Sequence, residues 1–138
     1  MDDEKQIYRV IDANLNRLRE GLRVCEEYFR FIKNEKVPSQ KIKELRHKCK
    51  DLQVCFDEKI LFSARDSEND PFCDGFEAAE KTRKNAKDLL DANVKRCQEA
   101  ARAIEEFAKL LENENASKIA KTVRFELYTF EKEIYSGR

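Results

Sequence analysis

Apolar residues recur along this chain at alternating spacings of three and four, which is the period of a helix with one buried face. Only three glycines and two prolines occur in 138 residues, so little interrupts that period. The pattern predicts a nearly all-helical chain. Its four main helices are expected at about Lys5 to Asn34, from Pro38 and Ser39 along a stripe that reaches Phe56, from Asn85 to Leu111, and from Ser117 to Tyr135.

Turn-forming residues mark the connections between these helices. The one clear break is residues 62–75, FSARDSENDPFCDG, whose Ser, Asn, Asp, Pro and Gly predict a loop. A short helix around Phe76 to Glu80 is expected after it. Asn85 suits the cap of the third long helix, with Asp88 in a capping-box position, and ENENAS at 112–117 predicts a turn.

Long helices with mostly short connections are typical of an antiparallel four-helix bundle. A chain of 138 residues is enough for one core, so we expect a single domain, residues 1–138. Its two halves are expected at about 5–60 and 85–135, linked by residues 62–84.

The two halves resemble each other. Residues 12–28 and 91–107 share eight identities in seventeen positions, at an offset of 79. Arg46 recurs as Arg124 at an offset of 78, so the duplication extends to a helix pair. A bundle built in this way has pseudo-two-fold symmetry, with the first and third long helices as equivalents.

The repeated residues are mostly polar, which core packing does not require. At about 100° per residue, Asn14 falls within the apolar arc of its helix and Arg17 on the border of that arc. Burying such groups without partners costs several kcal/mol. We refer to the repeated Asn, Arg and Glu as the polar triplets, namely Asn14, Arg17 and Glu20 in the first copy and Asn93, Arg96 and Glu99 in the second.

Two interpretations of the polar triplets stay open from the residues alone. In one, the six side chains satisfy one another as a central network that fixes helix register. In the other, they surround a ligand cleft, where Asn reads a heterocycle or hydroxyl and Arg holds phosphate oxygens.

Charge and composition limit the class of protein. Lys plus Arg equals Asp plus Glu, at 28 each, so nucleic acid is not the expected partner. The acidic N-terminus has no apolar signal region and no stretch suits a membrane span, so we expect a cytoplasmic protein with reduced cysteines. Four cysteines lie at apolar helical positions, and Cys73 lies in the loop.

Several catalytic motifs are missing. Glu44 and His47 form an ExxH, but a di-iron bundle needs two such motifs and His47 is the only histidine. No glycine-rich phosphate loop occurs, so a nucleotide would be held by side chains or helix N-termini.

The chain resembles the small helical domain that precedes the barrel of thiamine-phosphate synthase in many bacteria and also occurs alone. The matching stretches are IDANLNRLREGLRVCEEY, ELRH at 44–47, ARDSEND at 64–70 and ANVKRCQEAARAIEEF at 92–107. That family is assigned as an alternative phosphomethylpyrimidine kinase. Unlike the fused members, this sequence ends at Arg138 without a synthase barrel.

The resemblance implies transfer of a phosphoryl group from ATP to hydroxymethylpyrimidine phosphate, assisted by Mg²⁺. Arg65 and the triplet arginines would hold phosphates, while Asp66 and Asp70 would serve as catalytic residues and Mg²⁺ ligands. A non-catalytic module that binds a pathway intermediate or docks on a thiamine-phosphate synthase is the main alternative. A structural dimerisation bundle, and with it homo-oligomerisation, also stays open.

Overall fold

A computed structural model of the chain describes residues 2–75 and 82–136. That part of the chain contains helices and no strand, so the all-α prediction is confirmed. The elements are α1 (Asp2–Glu27) with a π-helical turn (Tyr28–Ile32), α2 (Lys36–Gln53), α3 (Glu58–Ala64), α4 (Ala86–Leu110) and α5 (Glu114–Ser136). The expected short helix at Phe76 to Glu80 lies outside the described residues.

The four long helices pack as a bundle in which neighbours run antiparallel. In the α2–α5 pair, Lys41 near the start of α2 contacts Glu133 near the end of α5, and Lys48 contacts the earlier Glu126. Close contacts also join α1 to α2, α4 to α5 and α1 to α4. The predicted antiparallel bundle is therefore confirmed.

The core is formed by the predicted apolar stripes. Leu18, Leu22, Ile42, Leu52 and Leu127 are fully buried, and burial of each such side chain contributes roughly 1.5–3 kcal/mol. The apolar residues that recur at spacings of three and four from Ile11 to Phe29 and from Ile42 to Phe56 are all buried: Ile11, Leu15, Leu18, Leu22, Cys25, Phe29, Ile42, Leu45, Cys49, Leu52 and Phe56. The helical period alone thus located the interior.

The first helix ends differently from the prediction, which placed one regular helix up to Asn34. A π-helical turn follows Glu27, with the Lys33 N–H donating to Tyr28 O at 3.0 Å. The wider turn leaves two consecutive aromatic residues, Tyr28 and Phe29, both buried. Asn34 then adopts a positive φ of 54°, which ends the element.

The segment after α2 was also predicted incorrectly. The second helix starts at Lys36 and ends at Gln53, and Phe56 enters the core from the turn that follows. The short helix α3 (Glu58–Ala64) was not predicted, so the loop begins at Arg65 instead of Phe62. Only Leu61 and Ala64 are buried in α3, which is too few apolar positions to show a period.

The start of α4 confirms the predicted cap, because the Asn85 side chain accepts a hydrogen bond from the Asp88 N–H at 2.8 Å. The start of α5 corrects the predicted turn at 112–117. Asn113 accepts from the Ala116 N–H at 3.1 Å, and the helix begins at Glu114, three residues before Ser117.

The five cysteine thiols differ in burial according to their positions in the fold. Cys25, Cys49 and Cys97 are buried and Cys73 is exposed, as expected. Cys55 lies beyond the end of α2 and is half-buried, so it is not part of that helix stripe. Burial raises the pKa of Cys49 to about 12.

Within the described ranges, none of the helices combines the length and the apolar character that crossing a bilayer requires.

Candidate functional site

The outer face between α1 and α4 contains a groove of 780 Å³. All six residues of the polar triplets line it. The remaining lining residues are apolar or small: Val10, Gly21, Val24, Ala100, Ala103 and Phe107. The tertiary structure therefore brings together side chains that are 79 positions apart in sequence.

Small residues allow α1 and α4 to approach closely beneath this groove. A Cβ atom on Gly21 would lie 2.6 Å from Cys97 Sγ and 3.7 Å from Asn93 O. The Cys97 thiol is 3.8 Å from Leu18 O, as donor to that carbonyl. As α1 advances from Leu18 to Gly21, its contacts on α4 move back from Cys97 to Asn93, so the two helices are antiparallel. Leu18 and Cys97 are equivalents in the repeat, which places the pseudo-two-fold axis between them.

The two asparagines occupy equivalent environments. Asn14 Nδ2 donates to Val10 O at 2.9 Å, and Asn93 Nδ2 donates to Leu89 O at 2.8 Å. Asn14 is buried and Asn93 half-buried. These bonds to the preceding turn satisfy the amide nitrogens and fix the side chains, while the Oδ1 atoms remain as acceptors. The only donor to Asn14 Oδ1 in the described chain is Arg17 Nη1, at 3.5 Å.

The charged members of the triplets are exposed. Among the described residues, Arg96, Glu20 and Glu99 take part in no hydrogen bond or ion pair, and no hydrogen bond joins one triplet to the other. The six side chains therefore do not form the central register-fixing network that was one of the two interpretations. They line an open groove with unused donors and acceptors.

Helix register is instead supported by a different repeated pair. Arg46 Nη1 donates to Glu26 Oε1 at 2.5 Å between α1 and α2. The equivalent Arg124 forms a bidentate pair with Glu105 between α4 and α5, at 2.8 and 3.2 Å. All four residues occupy repeated positions, but the repeat by itself does not show which of them pair. Their matching offsets of 79 and 78 were the available signal.

Arg124 is the more enclosed of the two arginines. Its side chain is 9% exposed, whereas that of Arg46 is 25% exposed. A hydrogen bond with Tyr128, followed by the pair with Glu105, raises the pKa of Arg124 above its ordinary value. The pair in the second half is thus the stronger candidate for a structural role.

The predicted loop residues do not line the groove. Arg65 Nε and Nη2 both contact the Asp12 carboxylate at 2.8 Å, which docks the loop on α1. The hydrogen bond with Asp12 raises the pKa of Arg65. Asp66 O accepts from Arg9 Nη2 at 2.8 Å. Arg65, Asp66 and Asp70 are absent from the lining of the α1–α4 groove.

The two loop carboxylates are used within the loop. Asp66 accepts from the Asn69 amide at 3.0 and 2.9 Å, and this hydrogen bond lowers the pKa of Asp66. Asp70 Oδ1 accepts from the Phe72 N–H at 2.9 Å, as in an Asx turn. Three or more potential metal ligands do not cluster anywhere in residues 2–75 or 82–136. The Mg²⁺ role of Asp66 and Asp70 stays a prediction, and the carboxylates that line the groove are Glu20 and Glu99.

These features define an all-α bundle that was built from a duplicated helix pair and has a polar groove on its pseudo-two-fold axis. The model of the ThiD2 family matches residues 9–133, and the chain belongs to this family.

Its relatives include proteins named thiamine-phosphate synthase. The one from Nostoc punctiforme is 36% identical over 131 residues, which are 95% of this chain and 36% of that protein. Those from Prochlorococcus marinus strain AS9601 and Gloeobacter violaceus are 37% and 36% identical, over 97% and 98% of this chain and 37% and 38% of those proteins. The chain thus spans little more than a third of these relatives and is related to thiamine biosynthesis. No solved structure matches it.

Proposed function

We propose that this chain phosphorylates hydroxymethylpyrimidine phosphate, with ATP as the phosphoryl donor and Mg²⁺ carried by the nucleotide. The family supports a place in thiamine biosynthesis. The observation that favours a phosphorylated heterocycle as ligand is the α1–α4 groove. It combines two arginines with two asparagine side-chain oxygens on rigid helices.

Four groove residues have roles in this proposal. Arg17 and Arg96 bind the substrate phosphate, since guanidinium groups pair bidentately with phosphate oxygens. The Oδ1 atoms of Asn14 and Asn93 accept hydrogen bonds from the amino group of the pyrimidine. The γ-phosphoryl group leaves ATP, giving ADP, and forms a new P–O bond to the substrate phosphate. Positioning and charge neutralisation are the main contributions of the protein in such a transfer.

A product assay tests the proposal. Purified protein is incubated with ATP, Mg²⁺ and hydroxymethylpyrimidine phosphate, and the pyrimidine diphosphate is quantified. Arg17→Met and Arg96→Met should each abolish most of the product. Arg102→Met is the matched control, because Arg102 lies on α4 outside the groove, paired with Glu106. Wild-type protein that makes no more diphosphate than a reaction without enzyme contradicts the kinase proposal.

A second function is favoured by the position of the loop carboxylates. Asp66 and Asp70 lie outside the groove and accept hydrogen bonds from their own loop, which leaves the groove without the predicted catalytic pair. A module that binds the pyrimidine phosphate without chemistry, or delivers it to a thiamine-phosphate synthase, needs only the groove. Product formation separates the two functions, because such a module binds the pyrimidine phosphate tightly and forms no pyrimidine diphosphate when ATP and Mg²⁺ are present.

A third candidate, a structural dimerisation bundle, predicts no ligand at all. Thermal unfolding of wild type, Asn14→Leu and Asn93→Leu, with and without ligand, separates it from the other two. A ligand at a hundredfold excess over its dissociation constant stabilises the fold by about 2.7 kcal/mol. The substitutions should remove this stabilisation while lowering the stability of the free protein only slightly. No ligand-induced shift in the wild type, together with strongly destabilised variants, leaves only the structural function.

A further inference from the structure

A second groove lies between α1 and α2, on another face of α1. It consists of two adjoining cavities of 470 and 330 Å³, which share Arg23, Lys43 and Arg46. Glu20 lines both this groove and the α1–α4 groove, so the two meet at one residue of α1. Nothing in the proposed chemistry of the first groove uses the second.

The second groove is strongly basic although the chain as a whole is neutral. Its lining includes three carboxylates, Glu20, Glu26 and Glu35. Seven cationic side chains line it as well, which leaves a formal surplus of four positive charges. The seven are Arg19, Arg23, Arg30, Lys36, Lys43, Arg46 and Lys50.

Most of these cations have no carboxylate partner among residues 2–75 and 82–136. The Glu26 carboxylate accepts a hydrogen bond from Arg46 and lies 4.0 Å from Arg23, so a single carboxylate pairs with two arginines. Within the described chain, the side chains of Lys43 and Lys50 form no ion pair or hydrogen bond. A groove of this kind attracts an anion that carries several charges close together.

The second half of the chain shows that this charge is not needed to fold the helix pair. The ion pair is present in both halves, as Glu26 with Arg46 and as Glu105 with Arg124. The equivalents of Arg19 and Lys50, however, are the neutral Gln98 and Tyr128. Phe125 replaces His47, and its ring packs against the Arg124 guanidinium at 4.9 Å. Most of the excess positive charge therefore belongs to the first half, although Arg23 and Lys43 have the cationic equivalents Arg102 and Lys121.

We propose that the α1–α2 groove binds a polyphosphate chain, either the triphosphate of a nucleotide or inorganic polyphosphate. The groove is elongated, and its lysines and arginines project from two rigid helices. Lys36, Ser39 and Gln40 from the N-terminal end of α2 border one end of the groove, where the helix dipole favours anions. The charge and the shape of the groove support the site by themselves. Only its use for the ATP of the reaction rests on the proposed function.

Calorimetry with inorganic tripolyphosphate, ATP and adenosine tests the site without any turnover. Wild-type protein should bind tripolyphosphate and ATP, but not adenosine, and affinity should fall steeply with added salt. Lys43→Gln and Lys50→Gln should each weaken tripolyphosphate binding about tenfold, the effect of one lost charge-assisted hydrogen bond. The matched control is Lys121→Gln, since Lys121 is the equivalent of Lys43 in the second half and should leave affinity unchanged.

The outcomes separate this site from the proposed function. Lysine-dependent tripolyphosphate binding without diphosphate product supports the groove and contradicts the kinase. Tighter binding of ATP than of tripolyphosphate, with the same lysine dependence, identifies a nucleotide as the ligand, and equal binding identifies inorganic polyphosphate. The site is refuted if tripolyphosphate does not bind, or if Lys43→Gln and Lys50→Gln bind it as well as Lys121→Gln does.

Discussion

Gly21 offers a direct test of how closely α1 and α4 pack. A methyl group at this position would lie 2.6 Å from Cys97 Sγ, whereas ordinary contact distances are about 3.5–4.0 Å. The thiol or the helices must therefore move by roughly 1 Å, and Cys97 is fully buried. In an unhindered helix, replacing glycine by alanine stabilises the fold by about 1 kcal/mol. Here we expect the clash to outweigh this gain, so that Gly21→Ala destabilises the fold by about 1–3 kcal/mol.

Thermal and urea unfolding measure this effect, and each kcal/mol should lower the melting temperature by about 3–5 °C. Gly75→Ala is the control, because no atom of the described residues lies within 4 Å of its Cβ position, and we expect a change within about 0.5 kcal/mol. In the Gly21→Ala/Cys97→Ala double variant, the loss should be smaller than the sum of the single losses, since the clashing sulfur is gone. A Gly21→Ala protein as stable as wild type would refute the close-packing argument.

Three further predictions concern stability. Arg124→Met should cost about 3–5 kcal/mol in urea unfolding, because it leaves Glu105 buried without a partner, and Arg46→Met should cost less since that arginine is more exposed. Burial raises the Cys49 pKa from 9.0 to about 12, so the unfolded chain ionises first as pH rises. Stability should thus fall between about pH 9 and 12, and Cys49→Ala should reduce the slope. Asp12→Asn removes the anchor of the loop after α3, and limited proteolysis should detect faster cleavage within residues 65–75.

The core was predictable from the sequence because one physical rule generates it. Each long helix buries the side chains that recur every three or four positions, and the stripe through Leu18 and Leu22 is fully buried as expected. The helix cap at Asn85 was also predictable from the sequence, because its hydrogen bond involves a residue only three positions away. Elements too short to show a hydrophobic period could not be predicted, which is why α3 and the π-helical turn were missed.

The candidate groove was predictable in part. The repeat of Asn14 and Arg17 as Asn93 and Arg96 pointed to a shared location, because equivalent helices in a duplicated bundle pack about one axis. The position of the groove on the outer face, and not at the bundle centre, depends on the α1–α4 crossing. That crossing depends in turn on the space at Gly21, which helical periodicity does not report.

By itself, the sequence determined the fold class, the buried stripes and the polar repeat, since all three depend on spacing along a single helix or on similarity between two stretches. Only the tertiary structure decided the partners. It paired Arg65 with Asp12 and lined the groove with residues other than the loop carboxylates. It also gathered the cations of α1 and α2 on one face of a neutral chain. Contacts between distant residues follow from helix crossing and loop docking, which minimise the energy of the whole chain and leave no local pattern in the sequence.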